Sequence, residues 1–166
     1  MIDPNELLRT WLLLPLRTIG GVLVPNPILA VLADPANTPA APYPVTPIFA
    51  GHLPEGYDPK QTGNGMAIVL RVGGSGTTAG GTAHSEIPII DPRMQLTVWA
   101  GINEYRRARQ VDRAIFDWIH AKTPLDLGVT GYVIQCLNQV LGQDINDPKT
   151  GLATVVSFWH LTLRET

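Results

Sequence analysis

Proline placement sets the first limits on what this chain can fold into. Of its 15 prolines in 166 residues, seven stand at positions 35, 39, 42, 44, 47, 54 and 59. Proline fixes φ, has no amide hydrogen to donate and clashes with the preceding helical turn, so no long helix can cross this stretch. Asp34 to Gly65 is therefore expected to be extended and turning chain, with a short edge strand over Pro47–Ala50 and a turn at Leu53-Pro54-Glu55-Gly56. Regular structure has to come from either side of it. On the N-terminal side, Asp3-Pro4-Asn5-Glu6 carries the marks of a helix start: an acceptor for orphan amides, proline at the first helical position and a glutamate that completes a capping box. Leu8, Trp11 and Leu12 then line one face until Pro15 ends the run. Asn26-Pro27 repeats the cap and predicts a short helix over Ile28–Ala33.

On the C-terminal side, alternation predicts a strand over Met66–Val72, with Met66, Ile68, Leu70 and Val72 on one face and Arg71 on the other. The small residues from Gly73 to His84 have no apolar period and predict a mobile loop of about a dozen residues. A second strand follows over Met94–Ala100, with Met94, Leu96 and Val98 opposite Gln95, Thr97 and Trp99. It leads into the longest helix, about Ile102 to Ala121. There Ile102, Tyr105, Ala108, Val111, Ile115, Trp118 and Ile119 recur at three- and four-residue spacings. Lys122-Thr123-Pro124 closes it. Strands over Tyr132–Val140 and Leu152–Arg164 complete the chain, and the turn residues from Asn146 to Gly151 make them neighbours. The expected architecture is α+β: a mostly antiparallel sheet of four to five strands with one long and one shorter helix packed on it, extended Pro/Gly-rich loops, and a single domain over 1–166. There is no internal repeat.

Composition narrows the function classes. Hydrophobic residues make up 45% of the chain, enough to fill a core, which excludes disorder along its whole length. With 12 basic and 14 acidic residues the net charge is −2, against a dedicated nucleic-acid binder. Charged residues make up only 16%, where about 25% is usual. A free monomer normally covers itself with more charge than this. The single cysteine, Cys136, excludes an intrachain disulfide and a CxxC metal site, and is read as a small buried hydrophobe. Trp11–Leu14 and Ile19–Leu32 are apolar, but Asp3 and Glu6 are wrong for a signal-peptide start, and Pro15, Arg17, Pro25 and Pro27 interrupt the run before it could span a bilayer. The expectation is a soluble, intracellular protein.

The motifs that would carry chemistry fail one after another. Gly74-Ser75-Gly76-Thr77-Thr78-Ala79 matches a dinucleotide fingerprint, but Gly80-Gly81-Thr82-Ala83-His84 and an extended Ile87-Pro88-Ile89 stand where a phosphate-binding helix must begin. The lysine of a P-loop is missing there too. Ser75 approaches a nucleophile elbow, but Thr77 replaces the second glycine. His52, His84, His120 and His160 are scattered without metal-ligand spacing. His120 is expected as a favourable charge at a helix C-terminus and His160 as a satisfied polar residue in a strand. No catalytic, cofactor-binding or metal-binding residues are therefore assigned, and no cofactor is expected. What remains is a basic stripe on the long helix: Arg106, Arg107, Arg109 and Arg113. It reads as a solvated face, or as a contact for an acidic subunit surface or passing DNA without sequence recognition.

The order of these features resembles the tail-terminator, or tail-completion, family of long-tailed phages. The resemblance is carried by the leucine-rich helix Glu6–Leu14, by Ile48-Phe49-Ala50-Gly51-His52-Leu53-Pro54-Glu55-Gly56, and by the strand Met66–Val72 with its small-residue loop. It continues through Met94-Gln95-Leu96-Thr97-Val98-Trp99-Ala100, which runs straight into the long helix, and ends with Asp147-Pro148-Lys149-Thr150-Gly151 before the last strand. It spans nearly the whole chain, with degenerate motifs and with longer segments at 35–47 and 73–84. The resemblance implies a homohexameric ring that caps the tail tube, stops its polymerisation and offers a surface for head–tail joining, without catalysis. The implied partners are other copies of the chain, the tail tube protein, head–tail connector proteins and DNA in the channel, with no membrane. The implied location is the virion neck, and the host cytoplasm during assembly. Candidate interface residues are Gly74, Ser75, Thr78 and His84 in the loop and Arg106, Arg107, Arg109 and Arg113 on the helix, together with the Pro-rich 35–63 segment. Competing readings are another neck ring (a head–tail stopper or adaptor), a small hydrolase or nucleotide-binding protein, and a generic interaction module.

Overall fold

A computed structural model of the chain describes residues 4–33, 47–52, 55, 67–72, 89–90, 93–102, 104–120, 132–146 and 151–165. In chain order these form α1 (Pro4–Leu13), β1 (Leu16–Ile19), β2 (Val22–Pro25), α2 (Pro27–Ala33), β3 (Ile48–Ala50), β4 (Ala67–Val72), β5 (Ile89–Ile90), β6 (Arg93–Ile102), α3 (Tyr105–Ile119), β7 (Tyr132–Asn146) and β8 (Leu152–Glu165). The fold is α+β with antiparallel sheets, as the patterning predicts, and it has three helices where one long and one shorter helix were expected to pack on the sheet.

β1 and β2 form a two-stranded sheet of their own, and the larger sheet runs β3–β4–β6–β8. β7 covers one edge of β8 from Tyr132↔Glu165 to Asn146↔Ala153. Since β5 pairs Leu163 and Arg164 while β6 pairs 152–160, both must share the other edge, so β5 continues the line of β6. Among the described residues, β3 to β8 thus belong to one sheet. All pairings are antiparallel except β3 with β4, which is parallel.

One face of this sheet is the core. Met94, Leu96, Val98 and Ala100 of β6 and Ala153, Val155, Trp159 and Leu161 of β8 are buried in a single cluster with all three helices. α1 contributes Leu8, Trp11 and Leu12, α2 contributes Ile28 and Leu32, and α3 contributes Ala108, Val111, Ala114, Ile115, Trp118 and Ile119. These are the apolar positions of the sequence periodicity, now seen as one stripe per helix. Polar bonds also tie α1 to α3 and to β3. Trp118 Nε1 donates to Trp11 O at 2.9 Å, and Arg9 Nε donates to Ile48 O at 2.9 Å. The Asn26 cap is present: its Oδ1 accepts from Ile28 N at 2.9 Å, while its Nδ2 donates to the carbonyls of Leu12 and Leu14, each at 2.8 Å. One buried asparagine starts α2 and ends α1.

The structure departs from the sequence reading at several boundaries. Ile102, taken as the first helical position, ends β6 opposite Leu152, after a register irregularity between Trp99 and Ile102. Its ladder outweighs its fit to the helical period, and α3 starts at Tyr105. β7 runs to Asn146 rather than Val140, through further irregularities at Asn138/Val140 and Val140/Gln143. The larger correction is at 16–25, which reads in sequence as interrupted apolar chain and is a β-hairpin. Gly20 and Gly21, at φ 56° and 83°, supply the two left-handed positions of its turn. The segments 34–46 and 56–66, the 73–84 loop, the helix stop at 122–124 and the turn at 147–150 lie outside the described residues.

Candidate interaction surface

Between α2 and α3 lies an open groove of about 680 Å³. Pro27, Ala30 and Val31 form one wall, and Arg106, Arg109, Gln110, Arg113 and Asp117 the other. Positions 106, 109, 113 and 117 recur at three- and four-residue intervals, which places them along one side of the helix. Three of the four predicted interface arginines thus share a groove. Arg107 is not among its lining residues, and its Nε lies 3.4 Å from Glu104 Oε2.

The stripe is less free than its sequence suggests. Arg109 Nε donates to Asp144 Oδ1 at 2.8 Å, and its Nη1 donates to Gly142 O at 2.6 Å, so it fastens α3 to β7. The bond to Asp144 raises the Arg109 pKa further above its ordinary value and holds it charged. Arg113 Nε lies 3.1 Å from Asp117 Oδ1, one helical turn on, and its guanidinium lies 5.3 Å from the Phe116 ring. Of the stripe's four arginines, Arg106 alone is exposed with no ion pair among the described residues. Exposed pairs of this kind contribute little to stability, about 0–1 kcal/mol each. Their effect on recognition is larger: a groove with three guanidiniums and two matched carboxylates offers one open cation to an acidic side chain or a phosphate.

Beneath the groove, Asp112 turns to the sheet. Its carboxylate accepts from the Ser157 hydroxyl, which in turn accepts from Trp159 Nε1 at 3.0 Å. Asp112 Oδ1 is buried without a hydrogen-bond partner among the described residues. Burial raises the Asp112 pKa, with Asp144 adding to the rise and Ser157 and Arg109 opposing it. A Cβ at Gly142 would fall closer than 3.0 Å to Asp112 Oδ2 and to Val155 Cγ1, so the missing side chain is what lets helix and strand close on each other. Sequence patterning missed this seam, because Asp112, Gly142 and Ser157 are brought together only by the register of β7 on β8 and the packing of α3 against it.

It also missed the hairpin. Arg17 is buried, with Nη1 donating to Trp118 O, Nη2 to Asp117 O at 3.3 Å, and its guanidinium 4.0 Å from the Trp118 ring centroid. A cation on the last carbonyls of α3 is well placed against the helix dipole. Leu16, Val22 and Leu23, in contrast, are exposed. The Gly20-Gly21 pair between two apolar runs was the available signal.

Gly74, Ser75, Thr78 and His84 lie outside the described residues, so only the arginine half of the predicted interface is seen. His120 is at the C-terminus of α3 as expected, stacked on Phe116 at 4.3 Å with Trp159 edge-on at 6.4 Å. Among the described residues, no three His, Cys, Asp or Glu side chains group as a metal site, and no helix is long and apolar enough to cross a membrane. No protein-family model matches this chain, and no curated protein matches it in sequence.

Proposed function

We propose that this chain, acting over 1–166 as a single tail-terminator-like domain, is the subunit of a homohexameric ring. The ring caps the tail tube of a long-tailed phage, ends tube polymerisation and provides the surface for head–tail joining. The observation that carries this reading is the order of elements. An amphipathic N-terminal helix packs on a mostly antiparallel sheet, β6 leads into α3 across two residues, and the chain ends in the long β7–β8 pair. That is the order on which the resemblance to the family rests. The role is assembly rather than turnover. In this reading the ring contacts other copies of itself, the tube protein and the connector, and DNA crosses its channel without sequence recognition. The arginine groove, with Arg106 open, is the surface offered to an acidic partner or to phosphate. The protein works at the tail–neck junction of the virion.

The test is a phage lacking this protein. Tails of uncontrolled length, seen by electron microscopy, are the expected outcome. Tails of normal length that fail to join heads would move the assignment to a stopper or adaptor of the neck. Normal, joined tails would end the reading.

A further inference from the structure

The groove between α2 and α3 has two chemically unlike walls. On the α2 side every residue from Pro27 to Ala33 is apolar; Ile28 and Leu32 are buried in the core, and Pro27, Ala30 and Val31 are left to line the groove. On the α3 side stand Arg106, Arg109 and Arg113, with Asp117 beyond them. Ala114, which is buried, also lines the groove, so alanines on both helices leave the space between the walls unfilled. The lining thus sets three guanidiniums against one carboxylate, in a chain whose net charge is −2. The positive surplus is local, and opposite in sign to the charge of the whole protein.

The three cations differ in what they still offer. Arg109 is held by Asp144 and by the Gly142 carbonyl, and Arg113 is paired with Asp117. A guanidinium has five N–H donors, so these bonds orient the side chains without exhausting them. Arg109 in particular has little rotamer freedom left to lose when a partner binds. Arg106 is exposed and has no ion pair among the described residues. From 106 to 113 the row covers about 10 Å of helix. An occupant that satisfies both walls is therefore elongated, with carboxylates along one edge and aliphatic side chains along the other.

Phosphate fits this surface less well than a protein carboxylate does. A nucleic-acid backbone binds through the number of phosphates that are neutralised, and one cation of the stripe is open. Its bases need aromatic platforms, and no described residue lining the groove is aromatic. It would also leave Pro27, Ala30 and Val31 without a matching surface and run its row of charge past Asp117. A protein segment places a few carboxylates where the arginines stand and buries aliphatic carbon on the opposite wall. We propose that this groove docks an acidic, amphipathic segment of a partner protein, with a carboxylate on Arg106 and aliphatic side chains on Pro27, Ala30 and Val31. The inference rests on the reading of the groove as a partner surface above, and decides between the two ligands named there.

Fluorescence anisotropy with the full chain tests it. The probe is a capped peptide with glutamates and leucines on opposite faces of one helix, carrying a neutral dye. The comparison probes are the same peptide with glutamine for glutamate, the same peptide with serine for leucine, and a duplex oligonucleotide. Either peptide change should weaken binding by roughly tenfold or more. Arg106→Gln should cost as much, and so should Ala30→Asp, which sets a carboxylate on the apolar wall at an exposed position. Arg107→Gln removes an equal charge outside the groove and should leave binding within about twofold of wild type. Circular dichroism shows that each variant is folded. Equal losses from Arg106→Gln and Arg107→Gln would mean a diffuse cationic face and overturn the docking groove. An Ala30→Asp variant that binds as wild type does, or a peptide that does not bind at all, would overturn it too. If the oligonucleotide binds more tightly than the peptide and needs Arg106, the ligand is nucleic acid and the proposal fails. None of these outcomes touches the ring reading, which is decided by tail length in phage lacking the protein.

Discussion

The seam between α3 and the sheet and the hairpin β1–β2 both depend on glycine, for opposite reasons. At the seam the backbone of Gly142 is unexceptional and the space is full: Asp112 and Val155 occupy the volume a methyl group would need. At the hairpin the space around Gly20 and Gly21 is open, and the requirement is the left-handed backbone of the turn. The polar groups divide in the same way. Arg109, Asp144, Asp112 and Ser157 concentrate charge and hydrogen bonds where helix meets strand. Arg17 and Asn26 do so only at the hairpin's root, and the strands beyond are neutral and apolar. Few charges are thus committed to fastening elements together, and one surface is left uncovered. The low charge content that marks this sequence is plainest in the hairpin, where Arg17 is the one charged residue from Leu16 to Pro25.

Trp118 is where the two regions meet, because it receives Arg17 on its ring and carbonyl and reaches Trp11 with its indole nitrogen. Trp118→Ala should therefore give the largest effect, a loss of about 3–5 kcal/mol as for other fully buried aromatics, read by denaturant unfolding. If the loss is under about 1 kcal/mol, the hairpin root and α3 are not fastened as described. Gly142→Ala comes next and separates the two uses of glycine. Overpacking at Asp112 and Val155 should cost about 1–3 kcal/mol, measured the same way. A neutral substitution would mean that seam and hairpin are equally open, and the contrast between them would vanish.

The sequence makes the helices and the core legible because both are local periodicities. Leu8, Trp11 and Leu12, then Ala108, Val111, Ile115, Trp118 and Ile119, can be read from spacing, and Met94, Leu96 and Val98 from alternation. Asn26-Pro27 is legible as a cap, though not as the donor that also ends α1. The hairpin was hidden because each strand has four residues, too few for alternation to stand out, inside a run that is apolar throughout. The seam was hidden for a different reason. Arg109–Asp144 and Asp112–Ser157 join residues 35 and 45 positions apart, and only the register of β7 on β8 decides which side chains meet. A stripe of four cations is visible in sequence, but its partners are not. Electrostatic inference from such stripes overstates the charge available to a partner.

Asp112→Asn gives the smallest effect and tests the seam without disturbing its packing. Burial raises the Asp112 pKa above its ordinary 3.8, so the native state holds this proton more tightly than the unfolded chain does. Stability is then unaffected by this group below 3.8 and falls as pH rises through the raised native value, beyond which the loss is constant. Asparagine keeps an oxygen to accept from Ser157 and carries no such loss. The Tm difference between variant and wild type should therefore grow in favour of the variant across that acidic window and stay level to neutral pH. Because the carboxylate is partly exposed and faces Arg109, the gain should be modest, about a degree or two in thermal melts taken at a series of pH values. Groups that do not face Asp112 titrate alike in the two proteins, so the difference reports on Asp112 and the Arg109 and Asp144 charges beside it. A difference that is flat with pH would mean that Asp112 is solvated as freely as a surface aspartate. The seam would then be as open as the hairpin, with Gly142 no longer marking a closed contact.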